Sequence, residues 1–368
     1  MKIIFLCGSL ELGKDGVGDY TRRLAGELIR QDHYCAIVAI MDKGVNSTLE
    51  EIQESELAIT IPVIRFPYDK GYSVNGKEAK RWIDAFDPEW ISLQYVPFSF
   101  HPKGLHFGFC VVINKLIKGR KLHVMFHELW VGMNREASFK LQIWGMLQRE
   151  MISSFIKNLK PLAIHTHTKL YQLQLNKICT SVSLLPLFSN IKVVHSNPKI
   201  KNPNHLRFVV FGAIHLGAPI EAFAKEFADY AINKNLKISF TFIGRCGKEQ
   251  EHWATVLHSF KLEATILGEL SAEQISKELS EASIGIVNTP LGLIEKSGAN
   301  AAMREHGLSV ICLSHNWTPR GVRIDYDYQK RYQFESGNIT NLINNQEVVA
   351  EMSLLRIANS FINTINSL

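Results

Sequence analysis

Glu295-Lys296-Ser297-Gly298 places a carboxylate, an ammonium, a hydroxyl and a glycine side by side, after the apolar run Ser283-Ile284-Gly285-Ile286-Val287. A strand leading through a loop into a helix puts these residues at or near the helix N-terminus. Unpaired amides and the positive end of the helix dipole favour an anion there. A second glycine loop, Gly13-Lys14-Asp15-Gly16-Val17-Gly18-Asp19, lies near the start of the chain, where Gly16 and Gly18 would let backbone approach a ligand. Two such loops, one in each half, point to a phosphate-bearing ligand held between two domains. His127 directly follows the apolar run Leu122 to Phe126, so its ring is expected at a strand's carboxyl end with Glu128 beside it. Arg245, after Phe240 to Gly244, is a second candidate cation for phosphate. His165 and His167 share one face of a strand, but a metal site needs a third ligand and none is evident.

The elements that must position these groups follow from hydrophobic patterning. Apolar runs at Ile3–Cys7, Ala36–Met41, Ile61–Phe66, Trp90–Tyr95, Leu122–Phe126 and Leu162–Thr166 predict strands. Helices are expected over Val17–Arg30, Lys77–Phe86, Leu105–Ile117 and Glu136–Leu159. The alternation pauses at Pro186–Asn204, a linker rich in Pro, Asn and Ser. It resumes with strands at Leu206–Phe211, Lys237–Ile243, Thr265–Leu267, Ile284–Val287 and Ser309–Leu313. The intervening helices are Pro219–Asn233, Gly247–Phe260, Ala272–Ala282 and Ser297–His306, with a last one at Val348–Ile365. Strands alternating with helices predict an α/β protein with parallel sheets covered on both faces. The expected division is 1–190, 191–345 and a C-terminal helix over 346–368 that packs back on the first domain.

The bulk numbers agree with a soluble enzyme-sized chain. At 368 residues it exceeds one ordinary core. With 46% apolar and 21% charged residues it is neither disordered nor fibrous. A net charge of +6 suits an acidic ligand or an anionic membrane surface and falls short of a nucleic-acid footprint. Its six cysteines form no CxxC pair and read as reduced core residues. No apolar run approaches a membrane span, and Lys2–Cys7 is too short for a signal peptide, so the cytoplasm is expected.

Four segments resemble the retaining glycosyltransferases of the GT-B fold, the large family-four group (glycosyl transferases group 1) that includes many bacterial cell-surface sugar transferases. They are Gly16 to Leu28, Val124 to Trp130, Arg207 to Gly212, and Gly307 to Ile311, and their order and spacing span almost the whole chain. The resemblance implies two Rossmann-like domains facing a central cleft, with a nucleotide-sugar donor on the C-terminal one. It implies transfer of a hexose to a glycan or lipid-linked acceptor with retention of configuration, in polysaccharide biosynthesis. By the same resemblance His127 and Glu295 are the expected catalytic pair. Gly16, Val17, Gly18, Arg245, Lys296, Ser297 and Gly298, with the base-contacting turn residues Glu269 and Leu270, would bind the donor. Glu128 and Asp19 would face the acceptor. No cofactor or metal is expected, because amides and cations would stabilise the leaving diphosphate.

Two positions depart from the family pattern. The second glutamate, eight places after Glu295, is Met303 here. The Arg and Lys that often follow the first donor-domain strand are replaced by Gly212-Ala213-Ile214-His215-Leu216-Gly217. These departures keep two alternatives open: a sugar-nucleotide epimerase or hydrolase of the same fold, and a non-catalytic sugar-nucleotide-binding protein. A nicotinamide-dependent dehydrogenase is disfavoured by the lack of a full GxGxxG. Lys115 to Lys121 is a basic cluster, and the following helix mixes Arg135, Lys140 and Arg149 with Phe139, Ile143 and Trp144. That mixture suits an ordinary half-buried helix and also peripheral contact with the inner membrane face.

Overall fold

The structure, a computed structural model, describes residues 1–55, 58–179, 181–194, 202, 204–324, 332–344 and 353–368. The chain divides into two compact units, residues 1–186 with 354–368, and 187–353. The first division thus falls between Pro186 and Leu187, rather than at the expected 190.

The first unit runs β1 (Lys2–Cys7), α1 (Gly16–Arg30), β2 (Tyr34–Asp42), β3 (Leu49–Glu54), β4 (Thr60–Pro67), α2 (Gly71–Phe86), β5 (Trp90–Tyr95), α3 (Pro97–Phe100), α4 (Phe109–Ile117), β6 (Lys121–Phe126), α5 (Phe139–Leu159), β7 (Ala163–Thr166), α6 (Lys169–Leu175) and β8 (Val182–Leu184). Its sheet has the order β3-β4-β2-β1-β5-β6-β7-β8. All neighbours pair in parallel except β3, which runs antiparallel to β4. The all-parallel expectation is corrected at this edge. The sequence Leu-Glu-Glu-Ile-Gln-Glu carries no buried face and Ile52 is exposed, so it reads as loop; its charges suit an edge strand. The central strands are buried on both faces, with Ile3 to Cys7 and Ile91 to Tyr95 almost wholly enclosed. The expected helix from Leu105 begins only at Phe109, because Gly104 and Gly108 take positive φ and break the turn before it.

The second unit runs β9 (His205–Phe211), α7 (Ile220–Lys234), β10 (Lys237–Ile243), α8 (Glu249–Ser259), β11 (Glu263–Gly268), α9 (Ala272–Glu281), β12 (Ile284–Val287), α10 (Gly298–Glu305), β13 (Ser309–Cys312) and α11 (Ile339–Asn344). Its parallel sheet has the order β11-β10-β9-β12-β13. Phe208, Phe223, Phe227 and Phe240 form an aromatic core on one face, with Phe208 and Phe240 stacked at 5.0 Å. Each such ring contributes about 1.5–3 kcal/mol on burial. Of the expected linker, Ser189 is tied in by its N–H to Glu305 Oε1 at 2.7 Å; residues 195–201 and 203 lie outside the described set.

The last helix, α12 (Leu354–Asn366), belongs to the first unit and buries Ile357, Phe361 and Ile365 there. The expected start of this helix at Val348 lies outside the described residues. All six cysteines are free thiols, and burial raises the buried ones, Cys246 to about 11.

Candidate active site

In the first unit, the connections reverse direction between β1 and β5, and α/β sheets take ligands outside the carboxyl ends of their strands at such a point. The loop after β1 enters α1 there. Asp15 caps the helix, its carboxylate accepting the Gly18 N–H at 2.7 Å. Burial pushes the Asp15 carboxyl above the usual range, against the amides of Gly18 and Val17. The two glycines prove different. A Cβ on Gly16 would meet open space, whereas one on Gly18 would lie 2.8 Å from the Ser9 carbonyl oxygen and 3.1 Å from Leu10 Cα. Gly18 is therefore needed so that α1 can pack on its own entry loop. The Val17 carbonyl accepts the Thr21 hydroxyl at 2.6 Å.

Asp19 is also structural in its contacts. It accepts the Gly13 N–H at 3.2 Å and pairs with the buried Arg22 at 2.7 Å. Arg22 in turn donates to the Leu10 carbonyl and to Gln53. Asp42, fully buried, fixes the other side of the loop by accepting from Leu10 N–H and from Arg65. Burial opposes its ionisation, but Arg65 and the N–H groups of Gly44 and Leu10 outweigh that and hold its carboxyl below the usual range. Arg22 and Asp42 are supports of this loop that the sequence reading missed. Asp42 ends an apolar strand, and a lone buried acid in such a place is a legible signal.

His127 does sit at the carboxyl end of β6, but its ring is not offered outward. Nε2 lies 2.9 Å from the Gln94 side-chain oxygen and Nδ1 lies 2.8 Å from His167 Nε2. The ring is 6% exposed and Tyr20 of α1 stands edge-on to it at 5.0 Å. Burial, with His167 and His123 alongside, pushes its imidazole well below the usual value, so it is neutral. Only its main chain remains for contact with a ligand. Glu128, half-buried, follows it into the loop. His165 and His167 are engaged within the sheet. They bond to His123 and His127, and among the described residues no group of three or more metal-type side chains converges.

In the second unit the reversal lies between β9 and β12. Gly212 follows β9 with φ 88°, and a Cβ there would lie 3.2 Å from Ala299 Cβ, so this loop rests on the first turn of α10. Asn288, buried after β12, donates to the Leu313 carbonyl and accepts the His215 N–H, both at 2.6 Å. It staples three loops of the carboxyl edge together and was not anticipated. Glu295 and Lys296 lie in a 3-10 turn, Leu291–Lys296, rather than in the helix. Ser297 is the helix cap, its hydroxyl accepting the Asn300 N–H at 3.2 Å, and Gly298 opens onto free space. The structure thus brings Glu295, Lys296, Ser297 and Gly298 together with the Gly212 loop.

Arg245 and Glu269 also lie at this edge, paired with each other at 2.9 Å and both about two-thirds exposed. Such a pair is worth little and leaves Arg245 able to exchange its partner for a phosphate. Leu270 packs partly against the core, so less of it is available to a base. Met303 is wholly buried, with its sulfur against Gly285 of β12: a Cβ on Gly285 would lie 2.3 Å from Met303 Sδ. The position at which the family carries its second glutamate is a core position here.

No protein-family profile and no curated protein sequence matches the chain. Its structure, however, is similar to several solved ones. The apo form of the lipopolysaccharide outer core galactosyltransferase WaaB aligns over 100% of this chain and 99% of its own, with a TM-score of 0.57 and 14% identity. HepE from Anabaena, solved with UDP and glucose, aligns over 100% of both chains with a TM-score of 0.57 and 12% identity. The UDP-GlcNAc 2-epimerase of Neisseria meningitidis, bound to UDP-GlcNAc, also aligns over 100% of both, with a TM-score of 0.55 and 10% identity. At these identities the likeness establishes the fold, which is the two-domain α/β architecture GT-B.

Proposed function

We propose that this protein is a glycosyltransferase that moves a hexose from a nucleotide-sugar donor to a glycan or lipid-linked acceptor, with retention of configuration. The observation that carries the reading is the start of α10. Gly298 opens the first turn of α10 at the carboxyl edge of the second sheet, Lys296 supplies a cation, and the Gly212 loop lies against the same turn. A departing diphosphate gathers negative charge, and amides and cations aimed at it are the main source of rate. Glu295, one residue before Lys296, is suited to hydrogen-bond sugar hydroxyls. Arg245, released from Glu269, is suited to the phosphates. No metal is called for.

The acceptor side rests on the first unit. Phe107, Val111, Phe139, Ile143 and Met146 are exposed on or beside α4 and α5. Lys115 and Lys140 lie on the same elements and Lys118 directly follows α4, and apolar side chains with a basic rim suit an anionic lipid surface. No helix among the described residues is long and apolar enough to cross a membrane, so contact would be peripheral.

An epimerase reading is kept because the same fold serves UDP-GlcNAc 2-epimerases. The test is a thermal-shift screen of nucleoside diphosphates and their sugars, beginning with UDP because HepE and the epimerase were solved with uridine ligands. A ligand present at a hundred times its Kd adds about 2.7 kcal/mol to the folded state. The responsive donor is then incubated alone and with acceptors. Sugar transfer or slow donor hydrolysis supports the proposal; a sugar recovered with one centre inverted replaces it by epimerisation; no shift with any donor removes it.

A further inference from the structure

Six side chains on β5, β6 and β7 and the turn after β7 form one buried hydrogen-bonded chain. From one end, the Leu185 carbonyl meets His167 Nδ1 at 2.9 Å, and His167 Nε2 meets His127 Nδ1 at 2.8 Å. His127 Nε2 meets the Gln94 amide at 2.9 Å, and the other arm of that amide meets Ser92 Oγ at 2.8 Å. Ser92 Oγ meets His123 Nδ1 at 2.8 Å, and His123 Nε2 meets His165 Nδ1 at 2.9 Å. His165 Nε2 has no partner, and every member is at most 6% exposed.

The direction of this chain is determined by its first link. A carbonyl only accepts, so His167 Nδ1 must carry a proton. If His167 is neutral, its Nε2 is bare and must receive the Nδ1 proton of His127. His127 Nε2 is then bare and needs a donor, so the Gln94 amide nitrogen must face it, the reverse of the orientation drawn. Amide oxygen and nitrogen are assigned by such networks. The Gln94 oxygen then accepts the Ser92 hydroxyl, Ser92 Oγ accepts His123 Nδ1–H, and His123 Nε2 accepts His165 Nδ1–H. The free end is a bare lone pair on His165. The drawn orientation instead requires a doubly protonated His167 and an unpaired buried N–H on His165, and gains only a 3.5 Å contact from the amide nitrogen to the Ser92 carbonyl. Burying an uncompensated charge and an orphan donor is the costlier choice.

We propose that the chain is a positioning device in which one carbonyl, that of Leu185, sets all four histidines as neutral Nδ1–H tautomers and so holds His127 uncharged at the end of β6. Gln94 and Ser92 are its positioning residues. The consequence for chemistry rests on the glycosyltransferase reading: an oxocarbenium-like state next to the His127 main chain develops positive charge, which a neutral ring tolerates and an imidazolium opposes. The ionisable groups acting on His127 are His167 and His123, with the Tyr20 ring of α1 covering both His127 and His167. His165 acts on His123 from the far end, and Phe361 of α12 stands edge-on to His123 at 5.0 Å.

The experiment is nitrogen NMR on the full-length protein labelled at its histidine side chains, with signals assigned by single substitutions. Four side chains should show a protonated Nδ1 and a bare Nε2, unchanged between about pH 8 and pH 5, outside the usual range of histidine titration. Ser92→Ala cuts the chain beyond Gln94, so it should mix the tautomers of His123 and His165 while leaving His127 and His167 as they are, and Ser92→Thr, which keeps the hydroxyl, should restore them. Gln94→Glu puts a carboxylate on His127 Nε2 and should bring its titration into the range pH 5–8. If the glycosyltransferase reading holds, transfer by Gln94→Glu should then fall on the order of tenfold more than wild type between about pH 8 and pH 6, as one pKa unit of extra charging implies. A protonated Nε2 on wild-type His127, or His123 and His165 tautomers indifferent to Ser92→Ala, overturns the proposal. Absence of transfer with the expected spectra overturns only the reading of function.

Discussion

Met303→Glu restores the glutamate that the resembling family carries, and it should damage this protein rather than activate it. Met303 is 0% exposed and its sulfur fills the space above Gly285. Truncating a buried methionine alone costs about 2–5 kcal/mol. A glutamate of similar length recovers part of that packing but brings a carboxyl with an ordinary value near 4.3, and holding it neutral in the core at pH 7 costs about 4 kcal/mol. The expected loss is therefore about 4 kcal/mol or more, a large share of the ~5–15 kcal/mol that stabilises a domain. The sign with pH follows. The folded-state pKa of this glutamate would be raised, so the variant is least harmed below about pH 4 and loses stability as pH rises through the raised value. Hydrogen exchange at β9 and β12 of the full chain reads this locally, since a two-unit protein need not unfold in one step. A Met303→Glu protein that keeps wild-type protection at pH 7 and binds donor more tightly would refute the core assignment.

Three further outcomes follow from the same contacts. Gly18→Ala should destabilise by about 1–3 kcal/mol, since its Cβ meets backbone, whereas Gly16→Ala should fold normally, and denaturation of the two variants compares them. Gly285→Ala should cost about as much, and Gly285→Ala combined with Met303→Ala should be less than additive, because both changes act on the same contact. The first unit should lose stability as pH falls from about 6.5, because His123, His127 and His165 have folded values below the unfolded one, with His165 at about 4. Exchange at β6 and β7 should rise with acid before exchange at β9 and β10; equal response in both units would contradict it.

The sheets were legible because their strands are long apolar runs: β1, β5, β10 and β12 fall within a residue of where the sequence puts them. Short or charged elements were not. β3 is polar, β8 is three residues long, and α6 and α11 are too short for helical periodicity to register. The candidate site was legible in kind, as loops at carboxyl edges, but the use of each residue was not. Periodicity places His127 at the end of β6 and says nothing of Gln94 on the neighbouring strand, to which it is bound through parallel pairing of Gln94 with Met125. Likewise Gly16 and Gly18 look alike in sequence and differ in what their missing Cβ would touch.

The side chains that looked most reactive are those the fold itself consumes. His127 gives both ring nitrogens to its neighbours, Asp19 goes to Arg22, Ser297 caps α10, and Glu269 pairs with Arg245. What these engagements leave at the two carboxyl edges is backbone: the main chain after β6, the open turn at Gly16 and the amides at the start of α10. Backbone groups held by side chains cost little reorganisation when charge appears before them. On the glycosyltransferase reading, that would let the resembling family's second glutamate be absent from this chain. If the diphosphate is held chiefly by amides and Lys296, Met303 is free to serve the core. Under this argument Lys296→Ala should weaken nucleotide binding more than any single change at Glu269 or Leu270. A titration of all three variants with the same nucleoside diphosphate decides it, and equal losses would move the binding energy back to the exposed side chains.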